Sequence, residues 1–158
     1  MKSNVTETVH AQACPPPGAG SELSFALYGA ANRMVRLHKP FLEPLGLTFP
    51  QYLVLLELFG ETPRTVGDLG AKLGMDAGTI TPLLKRLATA GKVTRTRDVA
   101  DERRVLVDLT PAGEALRRQV QAVSGQIRSA CKLDEKGVAD LRSILDDLAW
   151  PADKTDDQ

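Results

Sequence analysis

Seven basic side chains, Lys85, Arg86, Lys92, Arg95, Arg97, Arg103 and Arg104, fall within residues 85–104 against three acids, Asp98, Asp101 and Glu102. Groups of this kind donate charge-assisted hydrogen bonds to oxyanions, and the arginine fork also matches the paired acceptors on a guanine edge. The whole chain is neutral, with 20 Lys and Arg against 20 Asp and Glu, because residues 134–158 carry eight acids and three bases. The local field decides what a polyanion meets, so the neutral total is misleading. A run of bases alone is ordinarily a solvated face. The order of elements that carries this run gives it meaning.

Other reactive groups are sparse. The imidazoles are His10 and His38, the thiols are Cys14 and Cys131, and neither joins a nucleophile with an evident base, a glycine-rich phosphate loop or a metal-ligand cluster. No enzyme activity, metal or cofactor is therefore expected. Two cysteines make no disulfide framework, and residues 1–7 lack the apolar core of a signal peptide, which together point to the cytoplasm. The apolar run at 52–56 is broken by Glu57 and far too short to cross a bilayer, so no membrane segment is expected.

The elements that must position the basic groups lie between residues 63 and 109. Val66, Leu69 and Leu73 share one helical face, and Gly74 can take the positive φ that ends such a helix. Asp76 is a natural N-cap for a second helix, at 77–90, whose inner face is Ile80, Leu83, Leu84 and Leu87. Its outer face holds Gly78, Thr79, Thr81 and Pro82, then Lys85 and Arg86. Short residues let a helix approach base edges closely, while the basic ones beyond reach phosphates or guanine. Pro82 predicts an irregular or tight first turn. The period then changes to that of strands, Val93, Arg95 and Arg97 on one and Val105, Val107 and Leu109 on the other, with a polar loop at 98–104 between them. Arginine at such a tip suits a narrow minor groove, and Asp101 stands where it could hold the Arg103 guanidinium. Helix, glycine turn, helix and hairpin predict a winged helix-turn-helix, in a chain that is mainly α with a small β-hairpin wing.

The rest reads as support. Residues 1–20, ending in a Pro-Gly stretch, are expected to be a disordered tail, and 151–158 an acidic one. Residues 21–62 should hold dimerisation and core helices: one from Glu22 to about His38, stopped by Pro40, and one after Pro50 carrying Tyr52, Leu53, Leu55, Leu56 and Phe59. Residues 110–150 should hold two more. Thr110 and Pro111 open a long helix expected to run to Cys131 with a stripe of Leu116, Val120, Val123 and Ile127. Asp134 opens the last, with Val138, Leu141, Leu145 and Leu148 in a seam that wants a partner helix. A single reading head gains affinity by spanning two half-sites, so a symmetric dimer on an inverted-repeat duplex, joined through the first and last helices, is the expected assembly.

Residues 23–28 (Leu-Ser-Phe-Ala-Leu-Tyr), 45–55, 76–86 and Asp101-Glu102-Arg103-Arg104 resemble the MarR family of bacterial regulators, and within it the OhrR group. The resemblance covers about residues 23–150. It implies a dimeric winged-helix repressor, with Arg103 in a minor groove and a ligand pocket where the dimerisation helices meet the reading head. Proteins of the OhrR group sense organic hydroperoxides with a cysteine near the start of the first helix, assisted by two tyrosines. At the matching places this chain has Ser24, His38 and Phe49. A serine hydroxyl is hardly ionised at neutral pH and cannot form a sulfenic acid. One replacement could account for Ser24 alone, and the three together favour a diverged relative. Cys131 lies near the position of a resolving cysteine, and Cys14 could reach it across a dimer, which keeps thiol-based sensing open beside an idle buried thiol. A pocket of Ser24, Tyr28, His38 and Phe49 would suit a small aromatic or carboxylate-bearing effector, since a protonated imidazole pairs with an acid; against it, a lone histidine is more often structural. A winged helix that binds protein and leaves DNA alone is the remaining alternative, and it predicts an electroneutral outer face.

Overall fold

Thr65, Asp76, Thr110 and Asp134 each open a helix, the side chain taking up a free amide. The computed structural model describes residues 22–131 and 133–149; both expected tails, with His10, Cys14 and Trp150, lie outside the described residues. The order is α1 (Leu23–Leu42), a 3-10 turn (Glu43–Leu45), α2 (Phe49–Gly60), β1 (Arg64–Thr65), α3 (Val66–Leu73), α4 (Ala77–Thr89), β2 (Val93–Arg97), β3 (Val105–Leu109), α5 (Pro111–Glu114), α6 (Arg117–Ala130) and α7 (Glu135–Ala149). The chain divides into two units, Met1–Val35 and Arg36–Gln158. No helix among the described residues is long and apolar enough to cross a membrane.

In the first unit, the N-terminal part of α1 exposes Leu23, Phe25, Tyr28, Met34 and Val35. The second unit begins with the end of α1, which differs from expectation: the helix runs through Pro40 to Leu42. Proline this close to a C-terminus forfeits one backbone bond. The extra turn brings Leu42 into the core, with Phe41 packed against it, and that burial offsets the loss. Thr48 then opens α2, its amide donating to the Gln51 Oε1 at 2.9 Å. Val54, Leu55 and Leu58 of α2 are fully buried, joined by Leu69, Ile80, Leu84 and Leu87 from α3 and α4, Val107 from β3 and Val120 from α6. The expected inner faces of α3, α4 and α6 are thus the observed ones.

Thr65 and Asp68 cap α3 reciprocally, the Asp68 amide donating to Thr65 Oγ1 at 3.0 Å and the Thr65 amide to Asp68 Oδ2 at 3.3 Å. Gly74 ends α3 with φ 61°, and Asp76 Oδ1 accepts from the Thr79 amide at 2.7 Å to open α4. Pro82 sits inside α4, and the first turn is tight, Thr79 N also reaching Asp76 O at 3.1 Å. The hairpin strands pair antiparallel in the register Val93↔Leu109, Arg95↔Val107 and Arg97↔Val105. A third strand, β1, joins β3 through Arg64↔Val107 and Thr65↔Leu106. Two residues carry no alternation to read.

The long helix expected from Pro111 to Cys131 is broken. Ala115 and Leu116 keep right-handed dihedrals, but Leu116 N donates to Gly113 O, an i,i+3 bond of 3.1 Å that marks a tightened, kinked turn. The break follows from two conflicting demands. The α6 stripe must face α2, whereas α5 must lie flat on the turn that leaves α4. Thr110 Oγ1 donates to Gly91 O at 2.6 Å and accepts from the Gly113 amide at 3.0 Å. Gly113 is buried, and a Cβ there would collide with the Lys92 carbonyl. Asp134 caps α7 as expected, accepting from the Gly137 amide at 2.7 Å. Its apolar residues Val138, Leu141, Ile144, Leu145 and Leu148 are exposed.

Gly113→Ala is expected to lower stability by about 2 kcal/mol, since the colliding neighbour is backbone and cannot rotate away. Urea unfolding of the two proteins measures the difference, and an unchanged midpoint would refute the close approach.

Candidate nucleic-acid interface

Apolar packing turns the polar side of α4 outward. With Ile80, Leu83, Leu84 and Leu87 held in the core, Gly78, Thr79, Pro82, Lys85 and Arg86 stand exposed and Thr81 is half-buried. The outer face read from the sequence is the one presented.

The loop at 98–104 is built by two aspartates. Asp98 Oδ1 accepts from the Ala100 amide at 2.9 Å and Asp101 Oδ1 from the Arg103 amide at 3.0 Å. Asp98 N donates to Arg104 O at 3.0 Å and Arg104 N to Asp101 O at 2.9 Å, closing the tip without further side chains. Asp101 therefore grips the Arg103 backbone rather than its guanidinium, which corrects the expected contact: an aspartate two residues ahead bonds the amide within its own turn. The result is the same in purpose, because the turn aims an exposed Arg103 outward. Arg104 Nη1 lies 3.8 Å from Asp98 Oδ2, and Val99 is fully exposed at the apex.

Between the wing and the start of α4 lies a cleft of about 540 Å³ whose lining includes Arg95, Arg103, Arg104, Ala77 and Thr81. Residues 65–67 at the start of α3 also line it. Their part was not read from the sequence, although a threonine followed three residues later by an acid was there to see. Arg95, on β2, is half-buried, and its Nε is buried without a hydrogen bond in the protein. A desolvated guanidinium nitrogen among two further arginines makes the cleft a site of concentrated positive potential. Arg95, Arg103 and Arg104 are thus brought together; Lys85 and Arg86, one to two turns along α4, lie outside the cleft lining.

The residues singled out for an effector fall in both units. Ser24 and Tyr28, one turn apart in α1, are exposed in the first. In the second, His38 is buried at 5% exposure, with its ring centroid 4.8 Å from that of Phe49 and 5.2 Å from that of Tyr52. Tyr52 Oη is 2.7 Å from Ser124 Oγ. The sequence marks Tyr52 only as core; its hydroxyl links this aromatic group to α6. Cys131 follows α6, half-buried against the core.

Such a reading helix, flanked by an arginine-bearing wing, defines a winged helix-turn-helix regulator. A family model described as transcriptional regulator SarA/Rot matches residues 36–121. The chain is 38% identical over 125 residues to the organic hydroperoxide resistance transcriptional regulator of Bacillus subtilis (strain 168), covering 79% of this chain and 85% of that protein. Among solved structures, reduced AbfR bound to DNA, AbfR being a Staphylococcus epidermidis protein, matches with a TM-score of 0.69 at 30% identity, over 80% of this chain and 88% of that one. A variant of E. coli MarR complexed with operator DNA matches with a TM-score of 0.69 at 28% identity, over 81% and 94% of the two chains. The chain belongs to the MarR/SarA family of transcriptional regulators.

The caps of α3 and α4 carry a pH dependence. Hydrogen bonding by the Thr65 side chain and amide holds the Asp68 carboxyl below its ordinary range, and Thr79 does the same for Asp76. A depressed carboxyl stabilises the fold above its unfolded value and loses that contribution as pH falls through the folded one. The reading head should therefore weaken below about pH 4. Urea midpoints followed from neutral to acid pH check this, and Asp76→Asn should flatten the profile; an unaltered profile in the variant would exclude Asp76 as a source.

Proposed function

We propose that the protein is a homodimeric, sequence-specific DNA-binding regulator that represses transcription from an inverted-repeat operator. The start of α4 enters the major groove, with Gly78, Thr79, Thr81 and Pro82 close to base edges and Lys85 and Arg86 on phosphates or guanine. The wing places Arg103 in the adjoining minor groove. One observation carries the reading: Arg95, Arg103 and Arg104 converge around the cleft between the wing and α4, where a duplex gripped by both elements must run. The uncharged face expected of a protein-binding winged helix is not what these elements present.

Dimerisation is supported by apolar surface that a monomer would leave wet. The first unit exposes Leu23, Phe25 and Tyr28, and α7 in the second exposes Leu141, Ile144 and Leu148. A second copy is the partner that also supplies the second half-site. Release by a small aromatic or carboxylate-bearing effector is supported, within the second unit, by the buried contact of His38 with Phe49 and by the Tyr52 bond to α6, through which a ligand would be felt along α6. A thiol signal through Cys131 and Cys14 is the second reading, and it is favoured by the identity with a hydroperoxide-resistance regulator.

Arg103→Ala should weaken binding to the operator by about 1–3 kcal/mol, and Lys85→Ala should lower the salt dependence of binding, each lost phosphate contact reducing the slope by about one. Fluorescence anisotropy on the DNA flanking the protein's own gene measures both. Unchanged affinity in Arg103→Ala removes the wing from the mechanism. Repeating the titration with benzoate and with an organic hydroperoxide separates the two signals: release by hydroperoxide would overturn the small-effector reading.

Sedimentation at micromolar concentration should give a dimer. Leu141→Glu together with Leu148→Glu should dissociate it while leaving the helical signal of each chain in place. A wild-type monomer would refute the assembly.

A further inference from the structure

We propose that Arg117 is a positioning residue that fixes the angle between α5 and α6 and, through it, the spacing of the two DNA-reading heads; the inference rests on the dimeric reading above. Arg117 is the first residue of α6, and its guanidinium is used on every side. Nε and Nη2 donate to the carboxylate of Glu114, the last residue of α5, with Nη2 at 2.8 Å from Oε2. Nη1 donates to Phe59 O at 2.7 Å, and the guanidinium carbon stands 4.7 Å over the Phe59 ring. One side chain therefore bridges the end of α2, the end of α5 and the start of α6.

Phe59 O needs such a donor. Its own helical partner would be the amide of residue 63, which is proline and has none. The two helices that Arg117 joins are otherwise held in different ways, α6 by Val120, Val123 and Ile127 packed in the core and α5 by polar and close backbone contacts. The hydrogen bonds of Thr110 and the close approach of Gly113 hold α5 to the turn that leaves α4, so α5 follows the reading helix. The 14-residue α6 leads to α7 and the proposed dimer contact. Only Ala115 and Leu116 lie between. A rotation of about 10° there, carried along a helix of about 20 Å, moves its far end by about 3.5 Å, close to the rise of one base pair. A planar fork holding two helices and a stacked ring stops that rotation in a way that a flexible ammonium cannot. In agreement, hydrogen bonding to Arg117 lowers the Glu114 carboxyl from its ordinary value.

The test uses the full-length protein and the inverted repeat that the wild type selects from a randomised duplex pool. Affinity is measured for that repeat, for a single half-site, and for repeats whose centre is lengthened or shortened by one or two base pairs. The wild type should discriminate sharply among spacings. In Arg117→Gln, affinity for the selected spacing should fall by about tenfold, the discrimination should flatten, and half-site affinity should stay unchanged. Arg117→Lys, which keeps the charge, should behave like Arg117→Gln. Wild-type discrimination in both variants, or an equal loss on half-site and full repeat, overturns the role. If Arg117→Gln does not fold, Glu114→Gln carries the same test: a flattened profile supports the joint and a sharp one overturns it. A wild type indifferent to spacing overturns the dimeric reading itself, and the joint with it.

Discussion

The hydroxyl of Thr110 ties the wing to the elements on either side of it. It donates to the Gly91 carbonyl and accepts from the Gly113 amide, so the turn after α4, the end of the wing and the start of α5 meet in one hydrogen-bonded corner. Lys92 contributes from the same corner, its carbonyl accepting from the Thr110 amide at 3.2 Å. The wing strands and α4 emerge from it in fixed directions. Because Gly113 lies flat against Lys92, the corner has no slack to absorb a change in either element.

That rigidity explains how three arginines come to share a cleft. Like charges at close quarters repel, and a guanidinium nitrogen buried without a partner costs desolvation energy as well. A loose hairpin would swing its arginines apart into water. Here Arg95 is held by pairing with Val107 in the middle of β2 and β3, while Arg103 and Arg104 are held by a tip whose turns are closed by Asp98 and Asp101. The frame keeps the charges where a polyanion relieves them. The backbone of the tip is thus ordered before binding, which leaves only the exposed side chains to be ordered on contact.

The sequence makes the reading head legible because its signals are local. The capping aspartate at 76, the positive-φ glycine at 74 and the switch from helical to alternating period after Gly91 each fix one feature within a few residues. What it hides depends on distant partners. Pro40 looks like a stop until Leu42 is seen to have a place in the core. The stretch from 111 to 131 looks like one helix because nothing at Ala115 or Leu116 breaks helical propensity; the kink comes from Gly113 meeting Lys92. The two residues of β1 form a strand only because β3 offers an edge. Tyr52 shows an apolar helical position, but its hydroxyl acquires a role from Ser124, 72 residues away.

The segregation of charge completes the arrangement. Residues 85–104 hold seven of the 20 Lys and Arg against three acids, whereas α7 has three aspartates, Asp140, Asp146 and Asp147, of which the first two pair with Lys136 and Arg142 at i,i+4 spacing. Such exposed pairs add little stability. Their effect is on the field: an acidic helix repels a phosphate backbone, so a duplex approaching at random is turned away from α7 and toward the arginines. A neutral total charge also limits indiscriminate adhesion to nucleic acid. The local excess of positive charge in residues 85–104, seven bases against three acids, set against eight acids and three bases in residues 134–158, makes the arginine-bearing face the favoured one before any base is touched.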